Sequence, residues 1–189
     1  MNTATIASKI GLALLLAGNI TTATGSPITQ YEGHSYTLTS LETNWTDAEA
    51  EAVLLGGHLV TINNEQEQNF LVSTYLSGND ATTKRYWIGL NDQAIEGTFI
   101  WASGQPVTYT NWHPGEPNNQ NNEDYVQMNW HLGQGGQVGD WNDAPNEGVA
   151  NTKLYGIVET NQTPEPGTIY LLLVGAIYAM HKKRTNQNI

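Results

Sequence analysis

The nine residues 116–124, with the sequence EPNNQNNED, are rich in oxygen-bearing side chains and hold no apolar residue that would anchor a strand or a helix. A hard cation such as calcium binds six to eight oxygen atoms from carboxylates, amide carbonyls and the backbone. The segment offers such oxygens on Glu116, Asn118, Asn119, Glu123 and Asp124. This composition fits a cation-binding loop, and it fits equally a solvated loop whose asparagines serve only turns.

Two other segments supply residues of the same types. Asn142 and Asp143 add an amide and a carboxylate, and Asp92 and Glu96 lie four residues apart after an apolar run. None of the three segments has the D-x-D-x-D-G pattern of a one-loop calcium site. The residue types alone therefore leave the cation site and the solvated loop as open alternatives.

The residue pattern gives little support to an enzyme. Glu116 and Glu123 could form a carboxylate pair of the glycosidase type, but carboxylates that bind calcium are poor proton carriers. The sequence has no H-E-x-x-H spacing and no G-x-S-x-G motif. Its five histidines are His34, His58, His113, His131 and His181. Only His113 is next to the loop, and we interpret it as a packing residue, so the pattern predicts a non-enzymatic domain.

The central segment, residues 26–163, is strongly acidic. Its basic residues are Lys84, Arg85 and Lys153, against 17 of the 18 aspartates and glutamates of the chain. Such a surface repels phosphate backbones, which argues against nucleic acid as a partner, and it suits divalent cations. The chain has no cysteine, which excludes disulfides and thiolate metal sites. The segment is long enough for one domain with a buried core.

Two helices are expected in the first half of this domain. Thr46 and Glu49 have the spacing of a capping box, and Gly56 ends the helix that they begin. The second helix is expected from Asn64 to about Leu76, again with a glutamate three residues after its first residue.

Apolar runs bounded by turn residues predict six short strands. They cover residues 36–38, 58–62, 86–90, 98–101, 125–130 and 154–159. Long stretches rich in Asn, Gly and Pro separate the last of these strands, and loops of this length are usually functional or disordered. Two strand–helix units followed by strands with long loops between them predict an α+β fold.

Six sequence motifs in this domain follow the order of one family. They are WTDAEAEAVLLGGHLVTI (45–62), WIGL (87–90), NWHPGEPNN (111–119), ED (123–124), WND (141–143) and YGIVE (155–159). On these motifs the chain resembles a C-type lectin-like domain over residues 31–159, and we assign the domain to residues 28–160. The resemblance implies an α+β fold with two helices, two small antiparallel sheets and a long calcium-binding loop region.

The resemblance also implies two calcium sites. The sugar-binding site would be formed by Glu116, Asn118, Glu123, Asn142 and Asp143. The auxiliary site would be formed by Asp92, Glu96, Asn119 and Glu123, with Asp124 beside them. Asn119 stands where a carboxylate is common in the family. The bond before Pro117 is expected to be cis, as in relatives, which would direct the carbonyl oxygens of Glu116 and Asn118 at one ion.

The positions at which the family usually has two disulfides hold other residues here. Ala52 and Val158 can pack as an apolar contact between the first helix and the last strand. Tyr125 and Asn146 cannot replace the other bridge in this way, so the base of the loop would depend more on calcium. Five tryptophans are interpreted as core residues rather than sugar platforms. They are Trp45, Trp87, Trp101, Trp112 and Trp130.

The function that the resemblance implies is calcium-dependent binding of a carbohydrate of the mannose or glucose type. Calcium would bind two vicinal sugar hydroxyls, and Glu-Pro-Asn at residues 116–118 resembles the mannose-type site of the family. The alternative is a protein-binding or structural module in which calcium only orders the loops.

Both ends of the chain resemble export signals. Residues 1–25 have the charged, apolar, small-residue order of a signal peptide, with a short buried helix as the alternative. Residues 161–167 are a linker with a Pro-Glu-Pro motif, and residues 168–189 hold a 13-residue apolar run and a basic cluster. This tail resembles a PEP-CTERM sorting signal, with a permanent membrane anchor as the alternative. A sorting signal implies transient membrane association and an exosortase-type processing enzyme. It also implies the cell surface or extracellular matrix of a bacterium with an outer membrane.

Overall fold

The structure of the chain is a computed structural model that describes residues 27–130 and 135–161. The helices are α1 (Trp45–Leu54), α2 (Glu65–Tyr75) and the one-turn α3 (Asp80–Thr83), with a short 3-10 helix at Val149–Asn151. The strands are β1 (Thr29–Tyr31), β2 (His34–Leu38), β3 (His58–Leu59), β4 (Tyr86–Asn91), β5 (Ile100–Trp101), β6 (Tyr125–Met128), β7 (Trp141–Ala144) and β8 (Tyr155–Asn161). The expected signal peptide and sorting tail lie outside the described residues, as does the linker after Asn161. None of the helices within the described ranges is both long and apolar enough to span a membrane.

The strands form two antiparallel groups that meet at β8. In the first group β8 pairs with β2 and β3, and β1 pairs with β2. In the second group β4 pairs with β5 and β6, and β7 pairs with β6. A short parallel contact between β4 and β8, at Tyr86↔Tyr155 and Trp87↔Gly156, joins the groups. The predicted α+β fold is confirmed, and the parallel contact and the short third helix add to it.

Asparagine side chains determine where the two long helices begin. The Oδ1 atom of Asn44 accepts a hydrogen bond from the backbone N–H of Asp47 at 2.8 Å and so caps α1. The prediction that Thr46 is the cap is wrong, because Thr46 lies inside the helix and its N–H donates to Oδ1 of Asn146 at 3.0 Å. Asn64 caps α2 as predicted, with its side chain accepting from the backbone N–H three residues later at 2.9 Å.

All six predicted strands are present with shifted ends, and the largest change concerns residues 58–62. Only His58–Leu59 pairs with β8 there. At Val60 the backbone bridges two strands: its N–H donates to β8, and its carbonyl accepts from the N–H of Gly89 in β4 at 2.9 Å. A Cβ atom at Gly89 would lie 2.5 Å from the carbonyl oxygen of Leu59, so a glycine is needed for this close approach.

Apolar packing surrounds the two positions at which the resemblance implies the first disulfide. Ala52 on α1 and Val158 on β8 are both fully buried and belong to one core cluster together with Trp45 and Trp87. This contact agrees with the prediction for these two positions. It ties the first helix to the last strand without a covalent bond.

Tyr125 and Asn146, the positions at which the resemblance implies a second disulfide, both contact the start of α1. The ring of Tyr125 packs against Trp45 with 4.7 Å between the ring centroids. The backbone carbonyl and Oδ1 of Asn146 accept from the N–H groups of Trp45 and Thr46 at 3.1 and 3.0 Å. Tyr125 and Asn146 are therefore both held to the start of helix α1, in addition to the pairing between β6 and β7.

Candidate functional site

Four of the five predicted sugar-binding residues line one cavity of about 320 Å³, and the fifth, Asp143, lies behind it in the sheet. Glu116, Asn118 and Glu123 reach it from the loop, and Asn142 reaches it from β7. No strand was predicted for the segment Trp141–Ala144. It is a strand in the structure, because it pairs with β6 from Met128 to Tyr125. The other residues that line the cavity include His113, Gln120, Trp130 and Val149.

Asp143 anchors the loop to the sheet. Its Oδ1 and Oδ2 atoms accept hydrogen bonds from the backbone N–H groups of Asn118 and Asn119 at 3.1 and 2.7 Å. Asp143 is itself 1% exposed and pairs with Val126 in β6. Because both carboxylate oxygens bind the loop backbone, the position of the loop follows directly from the position of β7.

The asparagines of the loop form tight turns. Asn119, Asn121 and Asn122 have φ values of 48°, 67° and 68°, in the left-handed region that asparagine tolerates better than most residues. Oδ1 of Asn119 also accepts from the backbone N–H of Glu123 at 2.8 Å. The sequence left open whether these asparagines form turns or bind a cation, and the structure shows that they form turns. The Glu116–Pro117 bond is cis, as predicted.

The acidic side chains at the cavity repel each other. Burial raises the pKa of Glu116 to about 7, and a hydrogen bond and Coulomb repulsion from Asp143 add to this, as does the charge of Glu123. Burial and the charge of Asp143 raise the pKa of Glu123 to about 7 as well. The Oε2 atom of Glu116 is buried without a hydrogen-bond partner. A cation at this place would remove the repulsion and would give that oxygen a partner.

These residues fit a hard cation by the chemistry of their donors. The charge of Asp143 raises the pKa of both Glu116 and Glu123, and one oxygen of Glu116 has no partner. In the part of the chain that the structure describes, no three His, Cys, Asp or Glu side chains are arranged to hold a metal by themselves. The amide oxygens of Asn118 and Asn142 would therefore have to complete the ligand set.

Three of the predicted auxiliary residues, Asp92, Glu96 and Asp124, form a second acidic group. The other two, Asn119 and Glu123, are hydrogen-bonded to each other, and Glu123 lines the first cavity. Burial raises the pKa of Asp92 to about 6, and the charges of Glu96 and Asp124 act in the same direction. Its Oδ2 atom accepts from the N–H of Gly97 at 2.8 Å, whereas Oδ1 is buried without a partner. The backbone N–H of Asp92 donates to the carbonyl of Asp124 at 3.0 Å, so the structure joins these two segments.

His113 packs under the loop. Its Nδ1 atom lies 2.6 Å from Oδ2 of Asp140, and both side chains are buried. The His113 carbonyl accepts from the backbone N–H of Glu116 at 2.9 Å. This arrangement agrees with a packing role, and it also fixes the residue at which the loop enters the cavity.

Trp130 differs from the prediction that it is a core residue. It is half-buried, its ring lies under the guanidinium group of Arg85 at 5.0 Å, and it lines the cavity. Trp45, Trp87 and Trp101 are buried as predicted. Val149 also lines the cavity although no sequence motif indicated it, because the fold alone brings the 3-10 helix to this place.

Comparison with known proteins identifies the family. The model of the C-type lectin domain matches residues 41–151, more than half of the chain. The chain belongs to this family. C-type lectin domains bind carbohydrate, typically with calcium, and are not enzymes, so the prediction of a non-enzymatic domain is confirmed.

Three relatives indicate the range of the family. The chain is 39% identical over 119 residues to the alpha-N-acetylgalactosamine-specific lectin of Patiria pectinifera, a match that covers 61% of this chain and 69% of that lectin. It is similar to the cow CD23 carbohydrate-recognition domain, crystallised in the presence of GlcNAc2Man3 oligosaccharide. That comparison gives a TM-score of 0.60 and 33% identity, over 72% of this chain and 95% of that one. A calcium-independent type II antifreeze protein has the same fold, with a TM-score of 0.56 and 25% identity over 71% and 91% of the two chains.

Proposed function

We propose that this domain is a calcium-dependent carbohydrate-binding module and that its binding site is the cavity around Glu116. The observation that carries the proposal is the buried Oε2 atom of Glu116, which has no partner and lies among the carboxylates of Glu123 and Asp143. An uncompensated group of buried carboxylates destabilises a fold unless a cation or protons neutralise it. Glu116, Asn118, Glu123, Asn142 and Asp143 would hold the ion.

When bound, calcium would supply coordination for two vicinal hydroxyls of a sugar. The protein side chains would read the same hydroxyls by hydrogen bonding. When it is ionised, the carboxylate of Glu116 accepts hydrogen bonds and cannot donate them. Asn118 can donate, because its Oδ1 atom accepts from the N–H of Gln120 at 2.8 Å while its Nδ2 group has no partner among the described residues.

We propose a sugar of the mannose or glucose type. The Patiria lectin is named for N-acetylgalactosamine and the cow CD23 domain was crystallised with a mannose-containing oligosaccharide, so relatives of both kinds exist. The choice for this chain rests on an acceptor at position 116 and a donor at position 118. That order suits the equatorial third and fourth hydroxyls of mannose and glucose, and a mispaired polar group would cost about 1–3 kcal/mol.

The test is sugar binding by the purified chain in calcium and in chelator, with mannose, glucose and galactose as competitors. The double substitution Glu116→Gln with Asn118→Asp exchanges donor and acceptor at equal formal charge. We expect it to weaken mannose binding about tenfold or more and to favour galactose. A wild-type preference for galactose in calcium would contradict the sugar type, and equal binding in chelator would contradict the calcium dependence.

A protein-binding or structural module is the second candidate function. The calcium-independent antifreeze protein shows that this fold also occurs without a calcium-dependent lectin activity. For this chain, that alternative predicts that calcium orders the loops but no glycan binds. A glycan array with calcium, compared with the same array in chelator, separates the two functions.

We also propose that the module acts outside the cell. The support is the order of residue types in residues 1–25 and in the tail 168–189, which resemble a signal peptide and a sorting signal. Cleavage of the tail by an exosortase-type enzyme would release the domain to the cell surface or the extracellular matrix. Mass spectrometry of the surface and matrix fractions tests this proposal, and a protein that retains Ile189 would indicate a permanent anchor.

A further inference from the structure

A second cavity, of about 310 Å³, lies beside the candidate sugar site. Trp130 and Val149 line both cavities, so the two share a wall. We call the second one the basic cavity. Its lining also includes Thr82, Thr83, Lys84, Arg85 and Thr152.

The basic cavity is an exception to the acidic character of the domain. Lys84 and Arg85 are two of the three basic residues between positions 26 and 163, in a chain with a formal net charge of −11. No aspartate or glutamate is among the lining residues that the structure describes. Positive charge in a concave surface attracts anions. The hydroxyls of Thr82 and Thr83 already donate to the carbonyl of Asn79 at 2.9 Å, so the basic side chains are the main donors for an anion.

Arg85 has a guanidinium group available for a ligand. The group lies 5.0 Å from the centre of the Trp130 ring, and no carboxylate of residues 27–130 or 135–161 forms an ion pair with it. The charge of Lys84 is partly neutralised, since its Nζ atom lies 3.8 Å from Oε1 of Glu42. Both partners of that pair are largely exposed, so the pair is weak.

Asn129 holds the backbone of these basic residues in place. Its Nδ2 group donates to the carbonyls of Ala81 and Lys84 at 3.1 and 2.7 Å. Its Oδ1 atom accepts from the N–H of Gly139 at 3.0 Å, and the side chain is 3% exposed. The fixed backbone and the contact with the Trp130 ring both restrict Arg85, which lowers the entropy that this side chain loses when an anion binds.

We propose that the basic cavity binds a carboxylate or sulfate group on the sugar residue next to the one in the candidate sugar site. The shared wall of Trp130 and Val149 places the two cavities side by side, as two linked sugar residues require. The ligand of the domain is then an acidic glycan rather than a neutral one. This inference rests on the proposed function, because the first sugar must occupy the cavity around Glu116.

The test uses disaccharides that differ only in the neighbouring group. Mannose would carry, at each hydroxyl in turn, glucose, glucuronate or glucose 6-sulfate, and binding to the purified full chain would be measured by calorimetry in calcium. We expect at least one glucuronate or sulfate compound to bind about tenfold more tightly than its glucose counterpart, the size expected for a charge-assisted hydrogen bond. The glucuronate and sulfate arms distinguish the two anions.

The ratio of acidic to neutral affinity is the quantity to follow in variants. Arg85→Gln should bring the ratio close to one, and Lys84→Gln should reduce it less. Lys153→Gln makes the same charge change at an exposed residue outside the lining, and it should leave the ratio unchanged. Arg85→Lys keeps the charge and guards against a folding defect, and it should retain part of the preference.

The outcomes separate this inference from the proposed function. If the neutral disaccharides bind in calcium and no acidic one binds more tightly, the inference is wrong and the proposed function stands. An acidic preference that Arg85→Gln leaves intact also overturns the inference. If no compound binds in calcium, both fail.

Discussion

At the scale of single residues, the candidate site is defined by carboxylates whose ionisation is costly in the calcium-free fold. Burial raises the pKa of Glu116 and of Glu123 to about 7, well above the usual value for glutamate. Asp143, the third carboxylate, is already hydrogen-bonded to the backbone of Asn118 and Asn119. Near neutral pH the two glutamates therefore hold a share of protons that a cation must displace.

We predict that calcium binding releases protons and weakens as the pH falls. Calcium binds only the ionised glutamates, so its affinity should rise with pH up to about 8 and fall below about 7. The change should approach tenfold per pH unit for each proton displaced. Calorimetric titration in two buffers of different ionisation enthalpy counts the protons.

The exposed Glu65 on α2 supplies the control. Glu65→Gln should leave the number of released protons unchanged, whereas Glu123→Gln should lower it. A calcium affinity that does not change between about pH 6 and pH 8 would show that Glu116 and Glu123 do not bind the ion.

At the scale of elements, the site depends on how strands and helix ends hold the loop. The two long helices and the buried strand β4 could be predicted from apolar periodicity and from Gly and Asn at element ends, whereas the one-turn helix α3 was not predicted. Strand β7 could not, because Asn142 and Asp143 favour loops and become strand residues only by pairing with Gln127 and Val126. The start of α1 was misjudged for a related reason. The backbone N–H of Thr46 donates to the side chain of Asn146, which is 100 residues away in sequence.

The candidate cation ligands were also only partly predictable from local sequence. Residue types indicated oxygen donors at positions 116–124, but which of them share one cavity was expected from the family resemblance and not from spacing. Arg85 and Trp130 carried no motif, since their proximity arises from the fold between α3 and the end of β6. Long-range contacts of this kind leave no local pattern in a sequence.

We predict that Asn44, not Thr46, caps α1. Asn44→Ala removes the acceptor for the backbone N–H of Asp47 and should lower the free energy of unfolding by about 1 kcal/mol. Asn44→Ser keeps a side-chain acceptor and should be close to wild type. Urea unfolding at fixed calcium measures the difference. If Thr46→Ala proved more destabilising than Asn44→Ala, the cap would be assigned wrongly.

At the scale of the whole molecule, the domain is stabilised without disulfides. Ala52 and Val158 share one apolar core cluster, and Tyr125 and Asn146 both contact the start of α1. These contacts do not neutralise the acidic loops, where the Oδ1 atom of Asp92 and the Oε2 atom of Glu116 stay buried without partners. Calcium would thus act on the part of the fold that packing does not stabilise.

We predict that calcium raises the thermal stability of the domain and that a chelator lowers it. At a hundredfold excess over the dissociation constant, binding to the folded state alone contributes about 2.7 kcal/mol, which shifts the midpoint on the order of 10 °C. Asn142→Ala combined with Asp143→Ala should remove the shift, whereas Glu65→Gln should retain it. Scanning calorimetry measures the midpoints. An unchanged midpoint across millimolar calcium would exclude an occupied site.

The placement of β8 has a consequence for the order in which the domain can be made. This strand, Tyr155–Asn161, pairs with β2, β3 and β4, and so joins both antiparallel groups, although it is the last strand in the chain order. During synthesis, β2, β3 and β4 therefore lack this neighbour until residue 161 has left the ribosome. The two antiparallel groups can therefore be joined into one fold only after this strand has been made. Because the domain contains no cysteine, its completion needs neither a thiol oxidant nor a disulfide isomerase.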